Sequence, residues 1–487
     1  MKELLIPFGI AVSISVAACV PRPERPAFTS SNKATRAVEA DGKDVVGDPT
    51  QAPIAKDEMS DSGDKVPEIN DGDAPSGTSE PKNEETQGKP ETLPRDEKPM
   101  PPKGPAVQQS PRFSELTFLT SHNSFVNNQD SFWAAPNQSR SLQYQLENGV
   151  TALMLDIHGE KAIEEASAKV DPSKRTSAAV LCHEHCGKPD QPLRGTRIPG
   201  LFQKMDFVKY LETIRDYVNK NPNAILTVFL EDYVNVNQLK EAFDKAPGFQ
   251  DRIFDPWKYQ VKEKGWPRID QLIRDNKRIL VISDHGGKES LGVVFGPDFT
   301  NENYWSMGTP LDSAETLKTE CKTRWDNAPL NRVDPKFAYL FVMNNFRDIP
   351  VLGPVRDDNN INFLRTRINT KCASVAEKKP NYLAVDHFDE ADWGARKMVA
   401  ELNDIAVLLF KNAGFQGTLQ MLKPGRYLTR DLSFGDNQLT SLRVYARTRV
   451  KLYEDDNFQK LLVELTEDSR DLGAAAKKVS SIEIIHE

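Results

Sequence analysis

The chain has 487 residues and a formal charge of −8, with 33 prolines, seven histidines and five cysteines. The acidic balance carries no basic stripe of the kind that grips nucleic acid, so that class of partner is excluded. The length exceeds what one hydrophobic core usually supports, and more than one folded unit is expected.

Residues 1–18 place Lys2 ahead of a short apolar run, which suits a signal-peptide core better than a membrane span. The run ends in "VAAC", which looks like a bacterial lipobox whose cleavage leaves Cys19 lipid-modified. A protein anchored in this way belongs to the bacterial cell envelope, at the outer membrane or cell surface. Residues 19–112 read as a disordered Pro-rich, acidic tether. From Val20 to Arg112 the one aromatic residue is Phe28, too little apolar surface to offset the entropy of ordering. With Cys19 acylated, Cys182, Cys186, Cys321 and Cys372 remain, and an even number in an oxidising compartment favours disulfides. Cys182–Cys186 and Cys321–Cys372 is the simplest of the possible pairings.

From Phe113 to about residue 403, apolar runs alternate with amphipathic stretches. Buried strands are expected within 116–125, 149–159, 178–186, 224–234, 277–286, 337–346 and 381–388. Between them, residues 206–222 space Phe207, Val208, Leu211, Ile214 and Val218 as a helix does. Strands separated by helices imply a parallel sheet, and this length suits an α/β (β/α)8 barrel. Each run ends in chemically capable side chains: His122 and Asn123, Asp156 and His158, His183, Glu231 and Asp232, Asp284 and His285, Asn344 and Asn345, Asp386 and His387. In a parallel barrel these ends meet on the C-terminal face, where active sites form.

The stretch "CHEHC" (182–186) raises three readings: a metal site, a redox pair, or a histidine on a stapled loop. Four zinc ligands within five residues of a strand end converge poorly, because successive side chains point to opposite faces. A disulfide fits an exported protein, and His185 is then a rim residue or a ligand contact.

The ordered motifs "SHNSF", "GVTALMLDIHG", "LCHEHC", "NPNAILTVFLEDYV", "NNFRDIP" and "PNYLAVDHFD" resemble the phosphatidylinositol-specific phospholipase C X-domain superfamily, in its plant and fungal PLC-like branch. The resemblance implies a TIM-type barrel and a phosphoric diester hydrolase. The substrate's own 2-hydroxyl attacks phosphorus, with His122 as general base, His183 as general acid and Asp386 orienting the base. It implies Ca²⁺ on Asn123, Asp156 and Glu231, a set of hard oxygen donors. Met154 stands where animal-type members carry a further acid. His158 stands where metal-independent members carry arginine, which leaves it as the alternative cation.

Beyond residue 403 the pattern changes. "VLLFKNAGFQG" (407–417) parallels "VKLYEDDNFQK" (450–460), and "NQLTSLRV" (437–444) parallels "KKVSSIEI" (477–484). Residues 404–487 resemble a microbial βγ-crystallin domain, an all-β sandwich with two Greek-key halves. Its calcium motif is matched by Asp436, Asn437, Thr440 and Ser441. The second copy has Ala476 and Lys477 where the first has Asp436 and Asn437, so at most one good site is expected. The whole reads as an anchored, monomeric phosphodiesterase acting on a phospholipid or another phosphodiester. The rivals are a non-catalytic protein gripping a headgroup or polysaccharide, and a glycerophosphodiester or sphingolipid phosphodiesterase.

Overall fold

A computed structural model describes residues 109–183, 203–325 and 328–487. Cys19, the tether up to residue 108, and Cys186 lie outside the described residues. Pro102–Glu487 form one compact unit.

Eight parallel strands make the barrel: β1 (Phe118–Ser121), β2 (Ala152–Gly159), β5 (Leu226–Asp232), β6 (Ile279–Ser283), β7 (Val293–Phe295), β8 (Thr300–Glu302), β9 (Leu340–Asn345) and β10 (Tyr382–Val385). Their order is β7-β6-β5-β2-β1-β10-β9-β8, so the curled sheet ends at β7 and β8, which adjoin in sequence through the single turn Gly296–Phe299. Two short strands, β3 (Ala179–Leu181) and β4 (Met205–Asp206), are antiparallel additions hung on the end of β2. The run at 178–186 is therefore not a barrel strand as expected. Its apolar content marks burial, but burial does not encode direction. β7 and β8 were missed because three residues are too few to show a period.

Alternation along each strand separates two cores. Leu119, Leu153, Leu155, Val228, Val281, Phe341 and Leu383 face outward into the core shared with the helices. Phe118, Ala152, Leu280, Leu340 and Tyr382, at or near the beginnings of their strands, face inward and are plugged from below by Phe113 and Trp266. The interior is thus mainly apolar at the N-terminal base, where the Thr227 and Tyr382 hydroxyls meet at 3.0 Å, and polar at the mouth. The flanking helices are locally specified. Asp206 caps Phe207–Lys220 by accepting from the Lys209 N–H, and Asn235 caps Val236–Lys245 in a capping box with Gln238.

The C-terminal strands are β11 (Val407–Asn412), β12 (Gln416–Leu422), β13 (Gly425–Tyr427), β14 (Ser441–Val444), β15 (Thr448–Tyr453), β16 (Leu461–Leu465) and β17 (Ser481–His486). They form two antiparallel sheets, β12-β11-β14 and β13-β17-β15-β16, closed over a core that includes Val407, Leu442, Val450 and Ile482. Strand β13 of the first half pairs with β17 of the second, while Ser469 of the second half bridges to Leu442 of the first. Each half therefore lends its third strand to the other, the exchanged pairing of two interlocked Greek keys.

This module seats directly on the barrel. The Ala446 N–H donates to Glu115, the Gly417 N–H donates to Glu377, and Arg470 donates to the Pro335 carbonyl. Leu419 and Met421 of β12 pack against the barrel's outer core. Lys379 is buried beneath the Tyr445 ring with its ammonium on the Leu402 carbonyl, and burial pushes its pKa down to about 7.

Candidate active site at the barrel mouth

Strand parity decides which of the expected polar residues enter the mouth. His122, Asp156, Glu231, Asp284, Asn344 and Asp386 continue the inward-facing series of their strands. Their neighbours serve the outer layer. Asp232 pairs with Lys288 at 2.8 Å and accepts from Ser283. Asn345 takes Arg367 and donates to the Asp358 carbonyl. His387 meets the Ser139 hydroxyl at 2.8 Å, and burial depresses its pKa, which favours the neutral ring. These three are structural polar groups that engage partners outside the mouth, and His387 Nε2 is left without a hydrogen-bond partner among the described residues.

The centre of the mouth is a relay on β1 and β10, which are hydrogen-bonded neighbours. His122 Nδ1 lies 2.9 Å from Asp386 Oδ1, and Asp386 is almost wholly buried. The Asn137 amide donates to the same Asp386 oxygen at 2.9 Å. The His122 ring lies flat on Phe346, with centroids 3.6 Å apart and planes within 5°. The carboxylate holds the proton on Nδ1, so Nε2 is left as the basic nitrogen. The stacked ring and two polar contacts restrict both torsions of the side chain.

Beside the relay, Asp156 and Glu231 are register partners on β2 and β5. Tyr233 donates its hydroxyl to Glu231 and stacks on His158 with centroids 4.3 Å apart. Asn123 is 2% exposed and sits in left-handed backbone at φ 43°, a conformation that non-glycine residues adopt at a cost. Among the described residues its amide makes no hydrogen bond. His183 follows β3 and is half-buried. Cys182 is disulfide-bonded, and the expected pairing with Cys186 falls on a residue outside the described ones.

Sequence reasoning missed Asn137, Phe346, Glu302 and Arg324. Arg324 reaches the mouth from the long segment after β8, where Thr323 bridges back to Asn303. Its guanidinium donates to Glu302 at 2.8 Å, and the Asn344 amide donates to the same carboxylate oxygen. Burial alone would lower its pKa, but Glu302, Glu231 and Asp284 outweigh it and hold the group charged. The disulfide Cys321–Cys372 ties down this segment three residues before the arginine. No periodicity in 303–339 announces Arg324. Only the tertiary path brings it in.

The mouth can therefore hold a base with a fixed tautomer, two adjacent carboxylates, and a half-buried cation. A model of the PI-PLC X family matches residues 109–403. A PI-PLC X domain-containing protein of Arabidopsis thaliana is 26% identical over 293 residues, covering 58% of this chain and 60% of the relative. An uncharacterized secreted protein of Arthroderma benhamiae is 21% identical, covering 60% of this chain and 62% of its own length. The chain thus spans less than two thirds of these curated relatives. Among solved structures, the N-terminal domain of protein S is 30% identical, covering 17% of this chain and 96% of that one at a TM-score of 0.16. A βγ-crystallin domain from Clostridium beijerinckii is 30% identical over 16% of this chain and 95% of that one, also at 0.16.

Proposed function

The chain belongs to the PI-PLC X family, and we propose that it is a phosphodiesterase of the phospholipase C type, acting on an inositol phospholipid or a related phosphodiester. The observation that carries this reading is the His122–Asp386–Asn137 relay at the mouth.

In the proposed reaction, His122 Nε2 removes the proton from the substrate's 2-hydroxyl as its oxygen bonds to phosphorus. The bond from phosphorus to the glycerol oxygen breaks, and His183 returns a proton to that leaving oxygen. Each proton transfer is worth roughly 10²–10⁴ in rate. Asp386 stabilises the imidazolium that forms on His122, and Phe346 keeps the ring in place. Arg324 compensates the carboxylates on its side of the mouth. Among the described residues no three His, Cys, Asp or Glu side chains gather as a metal site. An ion would rest on Asp156, Glu231 and the buried Asn123 amide, a donor set of hard oxygens that suits Ca²⁺. Calcium held there would offset charge that builds on the phosphate.

In the C-terminal module, Asp436, Asn437, Thr440 and Ser441 are the proposed calcium donors, with a stabilising role. Lipidation at Cys19 would keep the enzyme at a membrane surface of the cell envelope. Among the described residues no helix is long and apolar enough to cross a membrane.

The test is product analysis. Wild-type protein incubated with phosphatidylinositol vesicles should release cyclic inositol phosphate, and His122→Ala should remove at least about 10² of that rate while keeping the melting temperature. Calcium chelation should depress turnover in the wild type. Absence of any cyclic phosphate from the wild type would refute the reading.

A further inference from the structure

We infer a second ligand site, for a phosphate-bearing anion, at the base of the barrel, on the face opposite the mouth. A cavity of ≈ 520 Å³ opens there, lined by Arg112, Lys258, Lys264, Arg268 and Arg274 with Asp270 as its one carboxylate. Its place follows from the core beneath it. Trp266, which also lines the cavity, plugs the barrel interior together with the residues that begin the strands. The size falls within the roughly 300–1,000 Å³ of ordinary ligand pockets. In a chain of formal charge −8, five cations around one cavity is a pronounced local reversal.

Two of the cations, Arg112 and Arg268, are held in place by uncharged partners. The backbones of Arg112 and Arg268 form an antiparallel bridge, braced by the Phe113 N–H on the Pro267 carbonyl and the Ile269 N–H on the Pro111 carbonyl, each at 2.9 Å. Arg112 Nη1 donates to the Trp266 carbonyl at 3.0 Å, and Arg268 Nη1 donates to the Ser110 carbonyl at 2.5 Å. Each guanidinium thus spends one nitrogen on an uncharged acceptor, which orients the planar group and leaves its charge. The single carboxylate is committed through one oxygen, Oδ2, while its Oδ1 has no hydrogen-bond partner among the described residues. Asp270 pairs with Arg274 at 2.5 Å, and this contact, with the Ser110 hydroxyl, holds its pKa below the ordinary range. Lys264 makes no ion pair among the described residues. Lys258 touches Asp255 only loosely, at 3.5 Å from a largely exposed side chain. Two oriented arginine forks with two lysines match a tetrahedral, multiply charged anion better than a single carboxylate, because each fork can span two phosphate oxygens. The chemistry is that of a lipid headgroup phosphate or of a free phosphate-bearing solute.

This inference does not depend on the reaction proposed for the mouth. Its test uses the full chain and inorganic pyrophosphate as probe, titrated by calorimetry at low and at physiological salt. Wild-type protein should bind with an affinity that falls as salt rises. Lys264→Gln, an exposed change with no part in folding, and Arg112→Gln should each weaken binding by about tenfold or more. Co-sedimentation with phosphatidylglycerol vesicles, against phosphatidylcholine vesicles as control, separates the two sources. If the variants lose both pyrophosphate and anionic vesicles, a headgroup is the ligand. If they lose pyrophosphate while vesicle binding is unchanged, the ligand is a soluble phosphate compound. A wild type that takes no pyrophosphate, or a Lys264→Gln variant that binds as well as wild type, overturns the proposal.

Discussion

The barrel mouth and the C-terminal module both carry buried polar side chains, but they use them in opposite ways. In the module nearly every polar device occurs twice. Ser441 donates to the Asn412 carbonyl and accepts from the Phe415 N–H, while Ser481 donates to the Asp455 carbonyl and accepts from the Phe458 N–H. Phe415 and Phe458 both adopt left-handed backbone, at φ 66° and 61°. The Phe410–Phe415 rings meet tilted and the Tyr453–Phe458 rings edge to face, with centroids 5.8 and 5.9 Å apart. The Asn437 N–H reaches Val479 in the other half, and the Lys477 N–H reaches Leu439 in return. A role filled twice by symmetry is a requirement of the fold. At the mouth, by contrast, no such device is repeated, and several different groups converge on Asp386 or Glu302.

One break in the module's symmetry is instructive. Asp436 accepts from the Ser480 hydroxyl at 2.7 Å, so the acidic residue of the first copy serves the second half. The counterpart of that pair is Ala476 with Thr440. Alanine offers no oxygen, and the buried Thr440 hydroxyl is left without a hydrogen-bond partner among the described residues. Asp436 thus reaches into the second half, while Ser441 is occupied by the corner it caps.

Five substitutions sharpen this contrast. Asp386→Asn, at the singular relay, should lower phosphodiesterase turnover by roughly 10²–10⁴ with little change in melting temperature, because it removes the charge that orients and stabilises His122. Near wild-type turnover in that variant would reduce the relay to a packing device. Ser441→Ala and Ser481→Ala, at the duplicated corners, should each cost about 1–3 kcal/mol in urea denaturation while turnover stays as in wild type, since each leaves a buried backbone group unsatisfied. If the two differed widely, the equivalence of the halves would be lost. The smallest effects belong to the broken pair. Asp436→Ala should cost about 1 kcal/mol and abolish any calcium-dependent rise in melting temperature, whereas Ala476→Asp should regain about 1 kcal/mol by giving Thr440 a partner. A destabilising Ala476→Asp would show that the second half cannot accept an acid there.

Much of this protein is written locally. Apolar runs marked six of the eight barrel strands, because a buried parallel strand must be apolar along its length whatever its neighbours. The 43- and 40-residue offsets announced the double motif, since the same corner needs the same aromatic, left-handed and hydroxyl residues each time it is built. His122 and Asp386 were legible as strand-end groups, and parity along β1 and β10 already pointed both inward. Strand direction was not legible. The run at Ala179–Leu181 is as apolar as a barrel strand yet pairs antiparallel with β2, a matter of where the chain turns back. Nor could any local pattern supply Arg324, whose approach to Glu302 is set by the Asn303–Thr323 bridge and the Cys321–Cys372 tie. The basal cations fall in the same class. Arg112 and Arg268 are 156 positions apart in sequence and become neighbours only when the strand-entry segments close over the barrel's base. Periodicity and motif spacing report what a segment must bury. Which distant charges then share a cavity is decided by chain path and packing, and those exist only in the folded molecule.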